Sequence, residues 1–186
     1  MKFSILTAVH NRAGTVGQAA ASLRSQNWQD WEHVVQDGGS TDGTLAAVQA
    51  GADHRLRLES APDGGVYDAL NRALARAEGE VVGLLHSDDF YADPEVLSAV
   101  AAAFADPQVS AVYGDLHYVS QTDPGRVVRN WRSEPFRPEL LARGWMPPHP
   151  TLFLRREVIA RRGGFDTDFR IAADYDAVLR WFGQPG

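Results

Sequence analysis

Cysteine is absent from the sequence. Its absence excludes disulfides and thiolate metal sites and fits a reducing compartment. Positive charge is scarce: 18 Lys and Arg stand against 24 Asp and Glu, for a net charge of -6. No electrostatic case follows for nucleic acid or an anionic membrane surface as the main partner. An acidic chain that binds an anion needs a metal ion or locally placed arginines. Long apolar runs are missing too. Met1 and Lys2 lead straight into a strand-like stretch. That stretch is too short for a signal peptide or a transmembrane segment, so neither is expected. There is no Asn-x-Ser/Thr sequon, internal repeat or low-complexity tract. The G-x-x-x-x-G-K-[ST] phosphate loop and the G-x-G-x-x-G dinucleotide fingerprint are also absent.

What is present is an ordinary globular composition. The 186 residues are 44% hydrophobic and 23% charged, enough for one domain with a sizeable core. Apolar, β-favouring runs at residues 3–9, 31–36, 56–59 and 81–85 alternate with helical patterns at 13–26, 45–50, 66–77 and 94–104. Such alternation predicts βαβ units and a mostly parallel sheet with helices on both faces and the first strand central. The rhythm breaks after residue 105. A strand is expected at 109–119, continuing past Gly114-Asp115, with a hairpin partner at 127–131. Short helices are expected near 139–143 and 157–161, a strand at 151–155, and an amphipathic helix at 173–182. The chain therefore divides into a nucleotide-binding half, 1–105, and a mixed half, 106–186, of one domain.

The stretch 80–89, EVVGLLHSDD, organises this pattern. Its apolar front half reads as a buried strand. Its back half delivers Asp88 and Asp89 to the strand's C-terminal edge, where open parallel α/β sheets bind ligands. Paired carboxylates there suit a hard divalent cation and the phosphates it carries. The plainer reading is a solvated turn opening the next helix.

Five segments carry a resemblance. They are Thr7-Ala8-Val9-His10-Asn11-Arg12, the loop DGGSTDGT at 37–44, the helix start DGGVYDALN at 63–71, Ser87-Asp88-Asp89, and the series HPTLFLRR, GGFD and AADYD between His149 and Asp176. In this order they resemble family 2 glycosyltransferases of the GT-A fold, of the bacterial cell-envelope or exopolysaccharide type. The resemblance implies transfer of a sugar from a nucleoside diphosphate donor, in the UDP class, to a glycan or lipid-linked acceptor hydroxyl, with inversion. It also implies Mg²⁺ or Mn²⁺, bound by Asp88 and Asp89. Asp88 would also serve the ribose-phosphate side of the donor. The family pattern often has a further Asp two residues earlier, where this chain has His86.

Further roles follow from the same resemblance. Asp37 would accept a hydrogen bond from the N3–H of a uracil ring; a loop-capping role is the alternative. Thr7 would lie beside the base through its backbone, with Asn11 and Arg12 on the donor side. Asp68 and Asn71 would contact the sugar or diphosphate, Asn71 being otherwise a helix-surface amide. Asp174 would be the base that takes the acceptor's proton, or else an N-cap. Phe165, Ile171 and Tyr175 would desolvate it. His149 would touch diphosphate or acceptor, and Trp145 would stack on a sugar or fill a lid. Family members commonly continue beyond the point where this chain stops, so a truncated form or a short natural one is expected. The expected location is the cytoplasm, with peripheral association at the inner membrane as the alternative. A non-catalytic nucleotide-sugar-binding module is the competing function. A nucleotidyltransferase is a third reading, and the absence of a basic Gly-rich loop after the first strand counts against it.

Overall fold

A computed structural model describes residues 1–169 and 171–183. Its first half builds β1 (Phe3–Val9), α1 (Val16–Arg24), β2 (Trp31–Asp37), α2 (Thr44–Gln49), β3 (Leu56–Ser60), α3 (Val66–Ala75), β4 (Val81–Leu84) and α4 (Val96–Ala103). The second half adds β5 (Ala111–Val112), β6 (Leu116–Ser120), β7 (Asp123–Trp131), α5 (Pro138–Leu141), β8 (Phe153–Arg155), α6 (Arg156–Arg162) and α7 (Ala173–Phe182). The main sheet has the order β3-β2-β1-β4-β8-β5. Its first four strands are parallel, and β8 runs antiparallel between β4 and β5.

β1, β2 and β4 are buried on both faces, which explains why they read as continuous apolar runs. On one face, Leu6, Ala8, Val34, Val82 and Leu84 meet Ala69, Leu70 and Ala73 of α3 and Ala177 and Val178 of α7. On the other, Phe3, Ile5 and Val81 meet Ala19 and Leu23 of α1 and Leu97 and Val100 of α4. The expected α/β architecture, with β1 in the sheet's interior and helices on both faces, is what the chain adopts. Gly83 of β4 is required by close approach, because the Phe153 ring of β8 lies where a Cβ would stand.

One expectation is corrected. The strand foreseen at 109–119 is two strands in two sheets. β5 joins the main sheet, while β6 pairs with β7 in a separate antiparallel hairpin. The break falls at Gly114-Asp115. Ser133 donates to the Gly114 carbonyl at 2.7 Å, and its backbone N–H bonds the Asp115 carboxylate at 2.8 Å. Trp145 is half-buried against Tyr113 and Phe136, which serves packing between the hairpin base and α7.

Candidate active site

Parallel strands end together, so the loops after β1, β2 and β4 share one edge of the sheet. A cleft of about 470 Å³ opens there. Its walls include His10 and Arg12 after β1, Gly38 after β2, Asp63 and Val66 at the start of α3, and His86, Ser87 and Asp88 after β4. Arg12 is exposed and makes no ion pair among the described residues. A Cβ on Gly38 would meet Asp63 Oδ2 at 2.9 Å and His10 Nδ1 at 3.3 Å. The glycine therefore lets a carboxylate and an imidazole converge over the loop.

Several sequence-predicted residues build this edge rather than face the cleft. Asp37 is fully buried. Its carboxylate accepts from the Gly39 and Ser40 backbone at 3.0 and 2.9 Å, from Ser60 Oγ at 2.6 Å and from Ser40 Oγ. Oδ2 takes three of these bonds and Oδ1 one, so the carboxylate organises the loop. Burial opposes its ionisation, but these donors prevail and hold its carboxyl below the usual range. Asn11 adopts a left-handed φ of 52°. Its Oδ1 accepts from Thr41 N–H at 3.0 Å, while Ser40 Oγ accepts from its own N–H at 2.8 Å, tying the first loop to the second.

Thr7 is also fully buried. It donates to the Leu85 carbonyl at 2.6 Å and meets His33 Nε2 at 2.9 Å, leaving Ala8 and Val9 to line the cleft. Asp68 reaches back to Gly64 N–H at 2.8 Å and pairs with Arg72 at 2.8 Å, securing the start of α3. Asn71 is neither a surface amide nor a cleft residue. Its Nδ2 donates to the Phe165 carbonyl at 2.7 Å and its Oδ1 accepts from Phe165 N–H at 2.9 Å. It braces α3 against the Gly163-Gly164-Phe165 turn, where Gly164 has no room for a Cβ beside Asn71.

Asp174 lies in the first turn of α7 but does not cap it. The capping position is Ala172, with φ 71° and no side-chain cap bond. Instead Asp174 Oδ1 accepts from Tyr67 Oη at 3.3 Å, and Oδ2 faces His149 Nδ1 at 3.3 Å. His149 Nε2 in turn meets His86 Nε2 at 3.1 Å. A continuous polar chain thus runs from α7 through the 3₁₀ turn His149–Thr151 to the end of β4. Burial and the neighbouring imidazole press the His149 pKa below its ordinary value, against the pull of Asp174. Beneath it, Phe165 is buried beside Asp174, but Ile171 is 86% exposed and shields nothing. Asp176 points elsewhere and pairs with Arg180 at 2.8 Å.

The acids after β4 differ. Asp88 is exposed on the cleft wall. Asp89 is half-buried in the turn, its N–H bonded to the His86 carbonyl at 3.1 Å. Burial pushes its carboxyl above the usual range against the opposing pull of His86, with a smaller push from Asp88's charge. Among the described residues no cluster of three or more potential metal ligands is preformed. That donor set fits a cation carried by a diphosphate, which needs one or two carboxylates and takes its remaining oxygens from the ligand. No described helix is long and apolar enough to cross a membrane.

Asp63, Tyr67 and His86, like His10, had no assigned role in the sequence. Asp63 and Tyr67 lie within the DGGVYDALN segment. His86 was visible only as a departure from the family pattern.

Comparison with known proteins bears on this geometry. Residues 4–163 match the family description "Glycosyl transferase family 2". A Mycobacterium tuberculosis protein described as an uncharacterized glycosyltransferase is 33% identical over 95% of this chain and 67% of its own length. A "PGL/p-HBAD biosynthesis glycosyltransferase" of Mycobacterium bovis is 32% identical over 98% of this chain and 70% of its own length. S. aureus TarS superposes with a TM-score of 0.77 at 22% identity, over 98% of this chain and 55% of the solved one. The mannosyltransferase PcManGT of Pyrobaculum calidifontis, solved with GDP-Man and Mn²⁺, superposes at 0.74 with 25% identity, over 97% of this chain and 51% of the solved one. The chain thus spans about two thirds of the length of these mycobacterial relatives and about half of these solved chains. It belongs to glycosyl transferase family 2, and its fold is the GT-A arrangement shared with TarS.

Proposed function

We propose that this family 2 member transfers a sugar from a nucleoside diphosphate donor, in the UDP class, to an acceptor hydroxyl of an envelope polysaccharide or glycolipid, inverting the anomeric centre. The observation that carries the reading is the polar chain Tyr67–Asp174–His149–His86. It links a carboxylate of α7 to the wall of a cleft lined by Arg12 and Asp88. Residues 1–105 hold the donor and residues 106–186 carry the base. Support for a nucleoside diphosphate donor comes from TarS, solved with UDP-GlcNAc, and from PcManGT, solved with GDP-Man and Mn²⁺. TarS alone of the two favours the UDP class, and a mycobacterial relative's name favours a glycolipid acceptor.

Asp88 is the residue that would hold Mg²⁺ or Mn²⁺ on the donor's diphosphate, with Asp89 buttressing the turn. A cation there supplies Lewis-acid relief of the charge that develops on the leaving diphosphate. Arg12 adds fixed positive charge at the same cleft. Asp174 takes the proton of the acceptor hydroxyl as its oxygen attacks the anomeric carbon and the carbon–phosphate oxygen bond breaks. Tyr67 and His149 hold the carboxylate in place for that transfer. The protein works at the cytoplasmic side, where a lipid-linked acceptor is reached by peripheral association.

Calorimetric titration with UDP, GDP and ADP, with and without Mn²⁺ or Mg²⁺, tests the donor reading. Selective binding of UDP that the metal strengthens is expected. Equal binding of all three with no metal effect would overturn it.

A further inference from the structure

We propose that His86 is itself a ligand of the donor's cation, through Nδ1, beside Asp88, and that His149 and Asp174 fix its ring for that purpose. The inference rests on the reading above that a diphosphate and its metal occupy this cleft. It follows from where the hydrogen atoms in the chain have to be.

An ionised carboxylate only accepts hydrogen bonds. Asp174 Oδ2 faces His149 Nδ1 at 3.3 Å, so Nδ1 carries the hydrogen. A neutral imidazole protonated at Nδ1 offers a lone pair at Nε2. His86 Nε2 stands 3.1 Å from that lone pair and must donate to it. The two rings meet at 72°, with centroids 5.2 Å apart, an edge-on approach that suits an N–H pointing at a nitrogen lone pair. His86 is thereby left with a bare Nδ1. Among the described residues no hydrogen bond uses that atom.

An imidazole with one N–H anchored to a protein acceptor and the other nitrogen bare has the form of a metal ligand. His86 also lies in the right place. It lines the cleft with Asp88, and the Asp89 N–H to His86 carbonyl bond folds the segment so that both stand on one turn. His149 and Asp174 are then positioning residues for the metal, in addition to Asp174's proposed part in proton transfer. A set of one imidazole, one carboxylate and phosphate oxygens favours Mn²⁺ over Mg²⁺ more than an all-oxygen set does.

Pulsed electron paramagnetic resonance of Mn²⁺ bound with UDP, and in parallel with GDP, tests this directly. Native protein should show ¹⁴N modulation from a coordinated imidazole. His86→Ala should lose the modulation and weaken Mn²⁺ binding. His149→Ala should keep the modulation but bind Mn²⁺ about 10- to 100-fold more weakly, the usual cost of losing an orienting partner. His86→Asp should restore affinity without ¹⁴N modulation and shift preference toward Mg²⁺. Bound, Asp88-dependent Mn²⁺ without ¹⁴N modulation in the native protein would overturn the inference and leave the proposed function standing. A modulation that survives in His86→Ala would overturn it equally. If Mn²⁺ binds with neither nucleotide, both readings fall. Absence of the modulation in the native protein decides against the inference without any variant.

Discussion

The Nε2 atoms of His86 and His149 face each other at 3.1 Å, joining the end of β4 to the 3₁₀ turn that precedes β8. The contact ties the second half of the chain to the first at His86, a residue of the cleft wall. Because His149 also meets Asp174 at 3.3 Å, the ligand side and the proposed base are neighbours through one ring. A change at any of the three is therefore expected to be felt at the others.

Asp88 and Arg12 should separate by their metal dependence. Asp88→Asn keeps the shape but removes the exposed carboxylate, so UDP should still bind while Mn²⁺ no longer strengthens it. Arg12→Ala removes a cation from the cleft wall and should weaken UDP whether or not metal is present. Loss of one charge-assisted hydrogen bond costs about 1.5–3 kcal/mol, or roughly 10- to 100-fold in Kd. Titration calorimetry of the two variants, with and without metal, checks both. An Arg12→Ala protein that binds UDP as tightly as native would remove Arg12 from the donor site.

Asn71 distinguishes a brace from a contact. Its amide makes paired bonds to the backbone of Phe165 in a part-buried setting. Asn71→Ala leaves that N–H and C=O short of partners, so unfolding free energy should fall by about 1–3 kcal/mol. Thermal and urea unfolding measure this. A substrate contact would behave oppositely, weakening donor binding at unchanged Tm.

Asn71 also shows where the sequence stops being informative. The strands and helices of the first half were legible because each carries its own period and buries its own face. The parallel sheet followed from their alternation. The resemblance located the cleft-facing Arg12 and Asp88 because both sit at strand ends. It did not reveal the bracing bonds of Asn71, Asp68 and Thr7, because their partners, Phe165, Gly64 and Leu85, become neighbours only in the folded chain. The loop bonds of Asp37 were equally hidden, because a carboxylate at a strand end is suited both to meeting a ligand and to organising a loop. The split of the 109–119 strand was hidden for a similar reason. Gly114-Asp115 is its one local mark, and the bonds that hold the break come from Ser133, nearly twenty residues on.

Acid should destabilise the fold in two stages. His33 is buried beside Thr7, and burial lowers its pKa from 6.5 to about 4. A depressed histidine contributes stability that is complete above its unfolded value and is lost as pH falls toward its folded one. That window runs from about 6.5 down to about 4. Glu32 is likewise buried. Burial opposes its charge, but Ser4, the Glu78 backbone, Arg57 and Lys2 outweigh that and hold its pKa at about 2 against an ordinary 4.5. Its contribution is lost over the lower window, from about 4.5 to about 2. Each stage is worth on the order of 3 kcal/mol, from a shift of roughly two units or more. Urea midpoints across this range should fall in both windows, and His33→Gln should flatten the upper one. A native profile that is level between pH 6.5 and 4 would show that His33 is not held neutral.

Asp174→Asn is the decisive test of the proposed mechanism. The carboxylate accepts from Tyr67 and from His149 rather than capping α7, so its orientation is set by side chains of other elements. Asparagine is nearly isosteric and no cap bond is lost, so the fold and Tm should be kept. It has no lone pair basic enough to take the acceptor's proton. Removing a general base typically lowers the rate by about 10²–10⁴. Transfer should fall by that order, with donor affinity kept. If His86 is a metal ligand, Mn²⁺ affinity should fall moderately as well, because the amide can turn its NH₂ toward His149 and upset the tautomer chain. Tyr67→Phe, which removes one of the two donors to Asp174, should cost less than Asp174→Asn. The product's anomeric configuration, read by NMR from native enzyme, should be inverted. A retained product would reject single displacement, and native turnover by the Asn variant would move the base elsewhere.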